Sequence, residues 1–248
     1  INGLVDEIEI GYEVSDVNEL IDSIIYKDNQ FMAINKPFGL AVQGGSKISK
    51  HIDAMLDELK FELLTKPKLV HRLDKDTTGV LLLGRTTEGA AHLTQAFRDR
   101  KISKTYIALC YGKIEGKHKG KIEIPLLKKN IAGGEQMVVD SEGDASLTHY
   151  EILAQKDNFY LMKLEPHTGL THQLRVHMAY LGAPIYGDMK YGRRKDFVKL
   201  NAEEFKLHLH DYKIGFKNFS GKFIEIMAPL PKHILNSLKI LGMDGYIK

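Results

Sequence analysis

The sequence predicts an α+β protein built on a mixed, mainly antiparallel sheet. Three observations point there. Short apolar or alternating runs crowd the stretch from Ser103 to about residue 165, and two more lie near 209–216 and 222–228. Turn signals such as Gly133-Gly134 and Glu142-Gly143 separate several of them. The helical patterns are few and far apart, so no regular alternation of strand and helix is present.

The elements follow in order. Residues 1 to about 17 read as an acidic tail or linker without a strong period. Phe31-Met32-Ala33-Ile34 is a strand ended by Lys36-Pro37, because proline cannot donate to a ladder. Ile52, Met55, Leu56, Leu59 and Leu63 keep helical spacing. Val80-Leu81-Leu82-Leu83 is a short buried strand. Thr86 or Thr87 caps a helix through Ala90, Leu93 and Phe97. Strands are expected at 106–109, 121–126, 136–140, 146–154 and 159–165. Residues 171–181 form a helix stopped by Gly182, and 232–241 form a last one.

Composition narrows the function. The 248 residues suffice for one large domain, and the single cysteine, Cys110, excludes an internal disulfide and suits the cytoplasm. No apolar run is long enough for a membrane span, and no signal peptide opens the chain. The net charge of +3 is unevenly spread. Residues 1–26 hold seven acids and no base, leaving 35 bases against 25 acids in the rest. Such a body suits a polyanion such as RNA, and it equally describes a solvated lysine-rich surface.

Three segments have the means for chemistry. His71-Arg72-Leu73-Asp74-Lys75-Asp76-Thr77-Thr78-Gly79 sets a carboxylate beside a cation in a turn anchored by the buried strand. A surface turn whose Asp and Thr side chains satisfy backbone has the same appearance. Thr168 to His177 interleaves polar residues with core positions on a short helix. Its histidines, 167, 172 and 177, do not sit one helical turn apart, so no zinc set is expected. Lys104-Thr105-Tyr106 puts an aromatic in a basic strand, able to stack on a base or simply to fill a sheet. No phosphate-binding loop, dinucleotide fingerprint or nucleophile elbow occurs, so no nucleotide cofactor is expected.

Read together, these segments resemble the RluA/RluC family of ribosomal RNA pseudouridine synthases, with the RluC type nearest. The matching segments are Asn35 to Leu40 with Val42 to Ser46, His71 to Gly79, Lys104 to Ala108, Thr168 to His177, Leu181 to Asp188 with Tyr191-Gly192, and Leu209-His210. The resemblance implies a sheet with flanking helices around a central RNA-binding cleft, with residues 18–248 as the catalytic domain and 1–17 as a linker. A small S4-type RNA-binding domain often precedes that linker. The resemblance also implies uridine in structured RNA, of the 23S type, as substrate, no cofactor or metal, and a monomer. Asp74 matches the catalytic aspartate, Tyr106 the tyrosine against the flipped uracil, and Arg175 the arginine that pairs with the carboxylate. Arg72 matches an arginine that replaces the flipped base, while His71, Leu174 and His210 fall in RNA-facing or pocket-lining segments. Leu170 stands where the family usually has Arg, and Thr78 where Ser is commoner. The carboxylate has three routes open to it: attack on C1′, attack on C6, or removal of the C2′ proton.

Overall fold

The structure is a computed structural model and describes residues 14–45, 50–131, 134–192, 200 and 206–247. Its centre is β4 (Thr78–Gly84), buried at every position. An unbroken apolar run must be covered on both faces, and it is. Val80 and Leu82 point into a cluster with Phe31, Leu93 and Phe216. Leu81 and Leu83 point into the largest cluster, with Met32, Tyr106, Met162 and Leu174. This two-residue alternation sends one face towards α3 (Thr87–Arg98) and the other towards the cleft.

The described residues form eleven strands in one sheet. Along its main path it runs β1 (Ile24–Lys27), β2 (Phe31–Lys36), β4, β10 (Leu209–Lys217), β5 (Ser103–Tyr111), β9 (Phe159–Pro166), β8 (Asp144–Lys156), β6 (Lys119–Ile131) and β7 (Gly134–Val139). β3 (Lys68–Leu69) pairs with β4, and β11 (Phe223–Met227) with β10. Pairing is antiparallel except between β10 and β4, where His210 lies opposite Thr78 and Asp211 opposite Gly79. There the backbones come very close. A Cβ on Gly79 would lie 2.2 Å from the Asp211 carbonyl oxygen, and the glycine has φ +113°. Only glycine fits at that point.

Thr86 caps α3 by accepting from the Gly89 N–H at 3.0 Å, as the sequence predicts. α4 (Gln173–Tyr180) starts later than expected because His172 is left-handed, with φ 53°. It ends as expected at Gly182, where Ala183 N–H returns to the Met178 carbonyl and Gly182 N–H to that of Ala179. α5 (Lys232–Leu241) covers Ile107, Leu109 and Leu161 on the side of β5 and β9 away from the cleft.

Two expectations are corrected, and a third lies partly outside the described residues. The helix read from Ile52 to Leu63 is one short helix, α2 (Ile52–Met55), followed by a 3-10 turn, Leu56–Leu59. Its apolar spacing records burial of Ile52, Met55, Leu56 and Leu59, which the tighter turn satisfies equally. A helix, α1 (Val14–Asp22), starts within the stretch read as a linker, and Leu20 is buried in the main core. The Gly133-Gly134 turn lies partly outside the described residues.

Candidate active site

The cleft opens over the middle of the sheet, where the β4 entry loop, β5 and the α4 entry loop meet. It holds about 290 Å3 and is lined by Arg72, Asp74, Tyr106, Leu174 and Arg175 among others. Five residues separated by up to about a hundred positions thus share one small concavity.

Asp74 sits in a tight turn closed by Thr77 N–H on its own carbonyl at 3.1 Å. The turn is clamped from below by Lys36, which is fully buried at the end of β2. Its ammonium donates to the carbonyls of Pro37, Leu40 and Lys75 at 2.8 to 2.9 Å. Gly39 N–H adds a second bond to Lys75. Burial pulls the Lys36 ammonium down to about 7, against the opposing pull of Asp76 and Asp74. The sequence reading gave Lys36 no role, although the Asn35-Lys36-Pro37 segment was in view. A charge three bonds deep in carbonyl oxygens is invisible until the loop is folded.

Asp74 keeps 26% of its side chain exposed, and His172 Nε2 stands 3.8 Å from its Oδ2. Burial lowers the His172 pKa, with Asp74 opposing. Its Nδ1 lies 2.8 Å from the Tyr191 hydroxyl, which accepts from Met137 N–H at 3.2 Å. The left-handed backbone at His172 aims this ring at the cleft.

Arg175 is buried on α4 and lines the cleft, but its hydrogen bonds go to Asp188 rather than to Asp74. Nε and Nη2 each donate to a separate oxygen of Asp188 at 2.7 Å. Asp188 Oδ1 also accepts from the N–H groups of Lys190 and Tyr191. The Tyr191 ring lies 5.1 Å from the guanidinium carbon. Burial opposes, while Asp188 and then Asp74 favour, the charge on Arg175, whose pKa rises. The expected pairing of Arg175 with the Asp74 carboxylate is therefore corrected. A two-oxygen, two-donor match to Asp188 leaves Arg175 acting on Asp74 through space.

The remaining candidates divide. Arg72 is exposed at the rim and has no ion pair among the described residues. His71 also lines the cleft. Its Nε2 accepts from Leu82 N–H at 2.8 Å and its ring stacks on Phe97 at 4.6 Å, so it ties the loop to β4. Burial, then Lys104, drives its pKa down to about 3. His210 is not at the cleft. It is fully buried, its Nε2 donates to the Ala228 carbonyl at 3.1 Å, and its Nδ1 is 2.8 Å from the Thr78 hydroxyl. Its place between β4 and β11 gives it no surface to present to RNA. Leu170 faces the cleft and also packs on Leu126, Met137 and Val176. His177 lies under α4 between Ser146 and Thr148, and His167 meets His149 edge-on at 4.4 Å.

Residues 30–180 match the family described as RNA pseudouridylate synthase. The chain belongs to that family. Within it, the chain is 40% identical over 212 residues to the ribosomal large subunit pseudouridine synthase C of Rickettsia felis, covering 85% of this chain and 68% of the relative. It is 35% identical over 246 residues to the protein of the same name from Yersinia pestis, covering 98% of this chain and 76% of the relative. Among solved structures, human RNA pseudouridylate synthase domain containing 4 superposes with a TM-score of 0.76 at 27% identity, covering 92% of this chain and 96% of the other. Membership fixes the fold as that of pseudouridine synthases and the chain as an isomerase of RNA uridine. Among the described residues no helix is long and apolar enough to cross a membrane.

Proposed function

We propose that this protein converts uridine to pseudouridine in large-subunit ribosomal RNA, with Asp74 as the catalytic carboxylate, acting in the cytoplasm. The observation that carries the reading is the meeting of Asp74, Tyr106 and Arg175 in one small cleft of a chain from this family. The substrate follows the names of the relatives, which are large-subunit enzymes.

The reaction breaks the N1–C1′ bond, turns the uracil and rejoins it through C5. No electrons leave or enter. The base must first leave its stack, which costs about a few kcal/mol. Arg72, exposed and unpaired at the rim, is placed to fill the gap it leaves. Tyr106 forms the floor on which the extruded ring lies. Each route open to Asp74 requires an ionised carboxylate beside the sugar. Arg175 beside the turn, a permanent cation, interacts with the Asp74 carboxylate through space.

Mapping pseudouridine in ribosomal RNA from cells with and without the gene tests the reading, with the purified protein added back to the unmodified RNA. One or more large-subunit sites should vanish with the gene and return with the protein. An unchanged map, or a change confined to transfer RNA, rejects the substrate assigned here.

A further inference from the structure

Asp211 is a fully buried carboxyl that the account above leaves unused. It lies on β10, directly opposite Tyr106 on β5, so both side chains share the cleft face of the sheet. The register of β10 against β5 shifts immediately after it, between Asp211 and Lys213, a bulge that re-aims the strand at this point. Neither Asp211 oxygen has a hydrogen bond of full geometry, both are shut away from solvent, and the Tyr106 hydroxyl lies near enough to favour the ionised carboxylate as a donor. A buried polar group without a partner is expensive and rare in folded proteins.

Its surroundings are sparse. From β5, the Tyr106 hydroxyl and, one alternation earlier, the Lys104 ammonium face it, neither in good bonding geometry. On the other side β4 presents Gly79, and no residue of β4 can titrate. Burial pushes the Asp211 carboxyl up to about 8, with Tyr106 and then Lys104 opposing. Burial, followed by Asp211, raises the Tyr106 hydroxyl well above its usual value, and Asp74 adds to this from across the cleft. A tyrosine so placed cannot take up a proton on its oxygen without passing its own onward.

We propose that Asp211 is a positioning residue that receives the Tyr106 hydroxyl proton while Tyr106 takes the proton from C5 of the rejoined uracil. This rests on the reading of the cleft as a pseudouridine synthase site. After the new C1′–C5 bond forms, C5 carries both the sugar and its original hydrogen. The C5–H pair closes the C5–C6 double bond, and the C6–N1 π pair moves to N1, which takes a proton from water. The C5 proton goes to the Tyr106 oxygen and the Tyr106 proton to an Asp211 oxygen, so Tyr106 is unchanged. Once the product leaves, the relay runs in reverse: Asp211 returns its proton to the Tyr106 oxygen as Tyr106, which lines the cleft, releases its own to solvent.

The test uses a transcribed 23S-type RNA carrying uridine deuterated at C5, followed under single turnover. Asp211→Asn and Asp211→Ala should each slow the reaction by about 100-fold, the lower end for a positioned acid–base group. Both should show a larger isotope effect than the wild type. In a Tyr106→Phe background neither change should add a further loss. The wild-type protein supplies a measurement free of any folding defect: its isotope effect should shrink as pH rises through about 8, where Asp211 ionises. A wild-type effect constant across that range overturns the proposal. So do Asp211 variants with wild-type rate and isotope effect, or losses fully additive with Tyr106→Phe. If wild-type protein leaves uridine unconverted in every RNA offered, the functional reading has failed instead.

Discussion

Arg175 and Asp188 are joined by two parallel hydrogen bonds of 2.7 Å, and both side chains are buried. Removing one member of such a pair leaves an uncompensated charge. Asp188→Ala should therefore lower unfolding stability by about 3–5 kcal/mol in urea titrations and reduce turnover as Arg175 loses its hold. Arg175→Lys should fall between, since lysine keeps the charge and loses the fork. A stable Asp188→Ala protein would mean that Asp74 takes over as partner.

Asp74 should behave in the opposite way. Its side chain is partly exposed and holds up no buried partner, so Asp74→Asn should shift stability by less than about 0.5 kcal/mol. Pseudouridine formation should disappear, with RNA affinity kept within about tenfold, a change of roughly 1.4 kcal/mol. Asp76→Asn is the comparison, because Asp76 stands on the same turn. If Asp76→Asn is inert and Asp74→Asn is active, the motif has been assigned one turn position out of register.

Arg72→Ala should harm folded RNA more than a flexible single strand, because only the folded substrate has a stack to hold open. The rates to compare are single-turnover conversions of the two substrates. Equal losses would make Arg72 a general cation of the cleft. If Arg72 also meets a phosphate, the slope of log affinity against log salt should fall by about one.

Three buried histidines, and the half-buried His71, give a direction to the acid sensitivity. Burial lowers His71 and His208 to about 3, and His177 and His210 to about 4. In the unfolded chain each titrates near 6.5, so between about 4 and 6.5 the unfolded state binds more protons. These rings should therefore contribute fully above about pH 6.5 and lose that contribution as pH drops towards 4, against the raised Asp211 carboxyl, which favours the folded state increasingly as pH drops. His210→Gln should flatten that loss measurably in urea midpoints taken across the range. An unchanged slope in His210→Gln would contradict the burial of that ring.

Much of the site was legible because its parts are local. The Asp74 turn is a polar stretch abutting the four apolar residues 80–83, and α4 carries its stop signal at Gly182. Tyr106 was visible as an aromatic on a basic strand. What was not legible depends on strands that meet across long stretches of chain. Asp211 reads as an ordinary strand residue until β10 lies against β5. His210 looked surface-facing, yet it pairs with Thr78 across 132 positions of sequence. The Arg175 partner was misassigned because proximity of two carboxylates to one guanidinium is a matter of angle. β3 spans two residues and β1 four, too short for any period to register.

β10 is inserted between β4 and β5, although it is among the last elements in the chain. The strand that carries Tyr106 and the strand that follows the Asp74 turn are therefore held apart, and aligned, by residues 209–217. While the polypeptide is being made, both halves of the cleft emerge long before the wedge between them. A nascent chain of 200 residues has its carboxylate and its tyrosine but nothing to set their spacing. Such late, long-range pairing is slow to form. The cleft can therefore take its working spacing only once residues 209–217 are available to pair with both neighbours.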